Sequence, residues 1–163
     1  MKRSGMEELM AYRENLLSAL ESVVSRLSKT VANLTDANQE HAELSESNTP
    51  HYILFRLREV EIHVFSQQLP RFLAEICPIL PVFDEQSWMA DHYHPDEPIT
   101  AIMEKVAKLR HDELAWLNGL PVSSWSRLAR HPWWGMHTLQ WWVELQLDYS
   151  FQHLKLLTRS DGL

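Results

Sequence analysis

The segment 136–157, MHTLQWWVELQLDYSFQHLKLL, reads as one long helix, and its two faces constrain the fold more than any other stretch of the chain. Gln140, Glu144, Asp148, Gln152 and Lys155 recur every three or four residues, which at about 100° per residue sets them on one wet side. The opposite side carries Leu139, Trp142, Gln146, Tyr149, His153 and Leu157. That side has to face a core, yet Gln146, Tyr149 and His153 are polar. A buried polar group costs about 1–3 kcal/mol unless it finds a partner. The pattern therefore demands matching polar groups on the helices packed against this one.

Upstream, Ser4 and Glu7 have the S-x-x-E spacing of a capping box, in which each side chain satisfies an orphan amide of the same turn. Leu9, Tyr12, Leu16, Leu20, Val23, Val24 and Leu27 continue as the apolar stripe of a first helix over about 6–34, with Arg13 and Glu14 off that face. The polar stretch up to Pro50, including a solvated His41, reads as a loop. A second helix begins at Thr49 and Pro50, a capping residue followed by proline in the first turn. Ile53, Leu57, Val60 and Val64 form its core stripe, and it reaches about residue 76 if Pro70 kinks it. Arg56 and His63 lie at the edge of that stripe. For an arginine there, the plain reading is a pair with Glu59 or a stem laid along the core; His51 and His63 read as surface or edge groups.

Residues 78–98 form a long crossover rich in proline, acids and aromatic residues. Its His92 and His94 could point the same way from an extended segment, but a pair without a third ligand does not define a metal site. Asp96, Glu97 and Pro98 then start a third helix, with Ile99, Ile102, Met103, Val106, Leu109 and Leu117 inward and Asn118-Gly119 as its stop. The charged run 110–113, RHDE, reads as a solvated face, because consecutive helical positions fan out over most of a turn. A connection containing Trp125, Trp133 and Trp134 leads into the last helix. Its tryptophans read as anchors of the crossovers, Trp142 as core, and Trp141 as a candidate homodimer contact.

Four amphipathic helices with a long crossover between the second and third imply an all-α four-helix bundle, a single domain over residues 1–163, with its functional site between facing helices. A net charge of −7 and the lack of any basic run exclude the footprint of a nucleic-acid binder. No apolar run is long enough for a membrane span or a signal peptide, which gives the cytoplasm as the expected location. The single cysteine, Cys77, excludes an intrachain disulfide and reads as a small buried apolar residue. Phosphate-binding glycine loops and nucleophile-elbow motifs are missing from the sequence.

The blocks HYILFRLREVEIHVF, PVFDEQSWMADHY, LPVSSW, HPWWGMHTLQWW and LDYSFQHLKLL, in that order, resemble the DinB-like (DinB/YfiT-like) superfamily of metalloenzymes over roughly residues 49–157. The resemblance implies a four-helix bundle, often dimeric, that holds a nickel or zinc ion with three histidines, one on the second helix and two spaced four apart on the last. Carried over residue by residue, it places Arg56 at the first ligand position, Tyr149 at the second and His153 at the third. A guanidinium has no lone pair and stays charged near neutral pH, so it repels a divalent cation. A neutral phenol is a poor ligand for either metal.

The expectation is therefore a cavity kept without its metal, with Arg56, Tyr149 and His153 at its centre and Gln146 or Glu59 around them. Such a site either binds a small anion through the two-pronged guanidinium donor or is a vestigial, internally satisfied network with no cofactor. The alternative that stays open is an enzyme of the thiol-dependent transferase or isomerase type, using nickel or zinc held by His153 and other ligands.

Overall fold

The computed structural model describes residues 4–37 and 46–160; His41 and most of the expected loop around it lie outside these residues. Helix α1 (Gly5–Ala37) opens on the expected capping box, with Ser4 N–H donating to Glu7 Oε2 at 3.0 Å and Glu7 N–H to Ser4 Oγ at 3.3 Å. Helix α2 (Pro50–Val60) has Thr49 as its cap, whose hydroxyl oxygen accepts from Tyr52 N–H at 3.2 Å. Thr49→Ala is expected to lower stability by about 1 kcal/mol, read as a shift in denaturant midpoint. After Val60 the helix widens into a π-helical turn, Glu61–Ser66, and then ends; a short helix α3 (Arg71–Ala74) follows Pro70. The proline thus stops the helix and begins a new turn, in place of kinking one long rod.

The crossover is more structured than a loop. Asp84 caps helix α4 (Glu85–His92) by accepting from Ser87 N–H at 3.1 Å. Helix α5 (Ile99–Asn118) starts after Pro98 and stops at Gly119. The tryptophan-rich connection folds into a hairpin of β1 (Leu128–His131) and β2 (Gly135–Thr138), antiparallel, with Leu128 opposite Thr138 and His131 opposite Gly135. Gly135, at φ 81°, supplies the left-handed residue the turn needs. Residues 78–80 run beside β1, with Arg130 N–H donating to Pro78 O and Leu80 N–H to Arg130 O, both at 2.8 Å. Helix α6 (Leu139–Ser160) therefore begins three residues later than the periodicity suggests, because 136–138 pair as strand.

Helices α1 and α2 each pack against both α5 and α6, which makes the four-helix bundle. Its apolar core has two halves, one around Leu20, Phe65, Phe72 and Trp142, the other around Leu27, Leu54, Val106 and Leu157. Trp142 is 1% exposed, as a core residue should be. On α5 and α6 the residues between the two halves are polar. Arg110 and Glu113 are 2% and 7% exposed, and Gln146 and Ser150 are fully buried. The expectation of a solvated RHDE face is thus wrong for two of its four members. Positions 106, 110, 113 and 117 share one stripe, so Arg110 and Glu113 follow Val106 inward while His111 and Asp112 stay exposed.

Two smaller expectations also fail. Tyr12 is exposed, and Arg13 turns inward instead, donating from Nε to Gln140 Oε1 at 2.9 Å. Cys77 is exposed, with φ 45°, in the bend that follows α3.

Candidate functional site

Helix α6 brings Tyr149 and His153 onto one face, one turn apart, with ring centroids 4.2 Å from each other. Nδ1 of His153 lies 2.9 Å from the Tyr149 carbonyl oxygen, so it carries the ring proton and donates it. That leaves Nε2 as a bare lone pair. Into that lone pair Arg56, from α2, donates its Nε–H at 3.3 Å. The side chains at the three corresponding positions therefore meet, and a guanidinium occupies the direction in which the histidine could otherwise bind an electrophile.

A fourth member comes from the crossover. Glu85, in the first turn of α4, places Oε1 3.1 Å from Arg56 Nε and accepts the Tyr149 hydroxyl proton at 2.8 Å. Sequence reasoning missed Glu85, since nothing periodic marks the crossover. The local signal that existed was Asp84 with Ser87 three residues on, which caps α4 and fixes where its first turn points.

Electrostatics follow from this packing. Burial lowers the His153 pKa to about 4; its bond to the Tyr149 carbonyl opposes that shift in part, and the Arg56 charge adds a still smaller push downward. The imidazole is therefore neutral at physiological pH. Burial and the Glu85 carboxylate push the Tyr149 phenol well up, so it stays protonated. The cluster thus holds one cation, Arg56, one anion, Glu85, and two neutral groups. The ion pair remains partly wet, with side chains 26% and 35% exposed.

Beside the cluster lies a cavity of about 150 Å³. Phe65, Phe83, Trp134 and Leu145 provide apolar walls, and Glu85, Tyr149 and His131 provide its polar lining. The hairpin matters here because it carries Trp134 to the rim. His131 pins the hairpin turn, with Nδ1 accepting from Trp133 and Trp134 N–H at 3.1 and 3.2 Å.

The other two residues expected at the site lie elsewhere. Glu59 accepts from Arg58 Nε at 2.9 Å and from Trp88 Nε1 at 2.8 Å, with His63 3.7 Å away. Gln146 belongs to the polar layer of the core. Its Nε2 donates to Glu61 Oε1 at 2.6 Å and also to Glu113 Oε2. Arg110 completes that layer, bonding Glu61 Oε1 from Nε and Nη2, the Leu20 carbonyl and Ser150 Oγ. His92 is exposed and stacks on Trp88, and His94 is exposed. Trp141 is half-buried against His137, with ring centroids 3.6 Å apart. Among the described residues, no three His, Cys, Asp or Glu side chains gather as a metal-binding group.

These features define a four-helix bundle with a guanidinium at the centre of a polar cluster. A scan against models of protein families finds no match, and no curated protein matches the chain. Among solved structures, YfiT from Bacillus subtilis, described as a probable metal-dependent hydrolase with an unusual four-helix bundle topology, is similar with a TM-score of 0.74. The likeness covers 99% of this chain and 91% of that one at 19% identity, which establishes the common fold. No helix among the described residues is long and apolar enough to cross a membrane.

Proposed function

We propose that this chain binds a small organic anion without a metal, using Arg56 as the anchor. The observation that carries this reading is the position of the guanidinium. Its Nε is held by His153 and Glu85, while among the described residues neither terminal amino group makes a hydrogen bond. Those two groups are a pre-oriented fork for a carboxylate or phosphate, and Arg56 is partly exposed to receive one.

The metal-dependent hydrolysis named in the description of YfiT needs ligands that this site does not offer. A divalent ion placed against His153 Nε2 would collide with a permanent positive charge, and Tyr149 keeps its proton because burial disfavours the phenolate. Only His153 and Glu85 remain as donors, and Arg56 already engages both. The residues present do not fit a three-histidine nickel or zinc centre. We take the protein to act in the cytoplasm, where an exposed thiol such as Cys77 stays reduced.

The test combines metal analysis with anion titration. Untagged protein should carry no stoichiometric nickel or zinc. In thermal-shift titrations, phenylacetate or inorganic phosphate should raise the melting temperature of the parent protein. Arg56→Met should weaken that binding about 10- to 100-fold, the equivalent of a charge-assisted hydrogen bond worth about 1.5–3 kcal/mol. A stoichiometric metal ion, or no anion response that depends on Arg56, would defeat the reading.

A further inference from the structure

Arg56 and Glu85 present unused capacity of opposite sign side by side. Oε1 of Glu85 serves both Arg56 and Tyr149, whereas Oε2 accepts no hydrogen bond among the described residues. The terminal amino groups of Arg56 are likewise unengaged. A simple anion brought to Arg56 meets the Glu85 carboxylate next to it, and a simple cation brought to Glu85 meets the guanidinium 3.1 Å away. Either ligand gains one attraction and incurs one repulsion of similar range. A ligand that carries both charges on neighbouring groups gains two attractions.

The third constraint is the cavity. Glu85 and Tyr149 belong both to the polar cluster and to the cavity wall, so a molecule held at the ion pair has an apolar chamber beside it. At about 150 Å³ the chamber matches the size at which an apolar protein cavity takes up a benzene ring. Phe83 and Trp134 offer ring faces and edges to such a group.

We propose that the site takes an α-amino acid with an apolar or aromatic side chain, its carboxylate on the terminal amino groups of Arg56, its ammonium on Oε2 of Glu85, and its side chain in the cavity behind Tyr149. This inference rests on the reading of Arg56 as an anion anchor and adds Glu85 and the cavity as specificity-determining elements. Tyr149 and His153 act as positioning residues. The Tyr149 hydroxyl fixes Glu85 Oε1, and neutral His153 fixes Arg56 Nε, which leaves Oε2 and the two terminal amino groups without a hydrogen bond among the described residues.

Isothermal titration calorimetry on the full chain with L-phenylalanine, phenylacetate and 2-phenylethylamine separates the parts. Phenylalanine should bind at least tenfold more tightly than either single-charge analogue. Glu85→Gln keeps an acceptor for Tyr149 and should remove that advantage by weakening phenylalanine and strengthening phenylacetate. Leu145→Trp fills the cavity, leaves both charges, and should weaken phenylalanine at least tenfold; unchanged affinity would overturn the placement of the side chain. Phenylacetate binding as tightly as phenylalanine, or phenylalanine binding that Glu85→Gln does not alter, would overturn the zwitterion while leaving Arg56 as an anion anchor. Failure of phenylalanine and phenylacetate alike to bind, or binding indifferent to Arg56→Met, would overturn the inference; if phosphate still bound through Arg56, the broader reading would survive.

Discussion

Arg110→Met is expected to destabilise the protein by about 3–5 kcal/mol, seen as a large fall in denaturant midpoint with little change in slope. Arg110, on α5, bonds groups from the three other main helical segments. It reaches Glu61 Oε1 from Nε at 3.0 Å and from Nη2 at 2.8 Å, the Leu20 carbonyl at 2.9 Å and Ser150 Oγ at 2.8 Å. Its own exposure is 2%, and that of Glu61 is 0%. Without the guanidinium, Glu61 becomes an unpaired carboxylate in the centre of the bundle. That uncompensated charge, more than the lost bonds, dominates the cost. A double variant, Arg110→Met with Glu61→Leu, should therefore recover much of the loss, since a buried ion pair exchanged as a unit for apolar groups is often neutral. Should Arg110→Met cost less than about 1 kcal/mol, the buried pair does not hold the bundle as described.

The polar layer also shows what could be read from the chain before its structure. The last helix announced a problem: Gln146 lay on a face that had to be buried, so a polar partner across the bundle was required. The partner was visible in the third helix as a gap. Its apolar stripe runs through Ile102 and Val106 and resumes at Leu117, and Arg110 and Glu113 fill the same stripe between them. The four RHDE residues do fan out around the helix, but taking the run as one block hid that two of them, Arg110 and Glu113, fall on the stripe of Val106 and Leu117. Arg56, Tyr149 and His153 were legible because a family pattern aligned them with positions that must converge, and they do meet. Glu85 was not legible, because which residue of an irregular crossover touches a helix depends on where α4 docks, and no local period encodes docking. The hairpin escaped for a similar reason. Strands of four residues each leave too short an alternation to separate from a loop, even with Gly135 at the turn.

The second large effect is a dependence of stability on pH that one carboxyl should control. Glu113 is 7% exposed and shares the interior with Glu61. Burial first, and the Glu61 charge second, push its pKa from 4.5 up to about 9, while Arg110 and Gln146 oppose the shift only in part. A side-chain hydrogen bond between Glu113 and Glu61 also favours the neutral acid. One proton between two carboxyls then leaves a single negative charge for Arg110 to balance.

Between its unfolded pKa, 4.5, and about 9, Glu113 is protonated in the folded chain and ionised in the unfolded one. The folded state holds the extra proton, so stability must decline as pH rises across that window, by up to about 1.4 kcal/mol per pH unit, and level off above it. Glu113→Gln imitates the neutral acid, keeps an acceptor for Gln146 and an N–H donor for Glu61, and has nothing to titrate. The variant should match the parent protein near pH 4.5 and exceed its stability by about 3–5 kcal/mol at pH 8. Comparing chemical denaturation of the two proteins at several pH values isolates this group, because the remaining titrating residues are common to both. Parallel pH profiles would show that Glu113 is already ionised in the folded protein, and with it that the core carries an unbalanced negative charge.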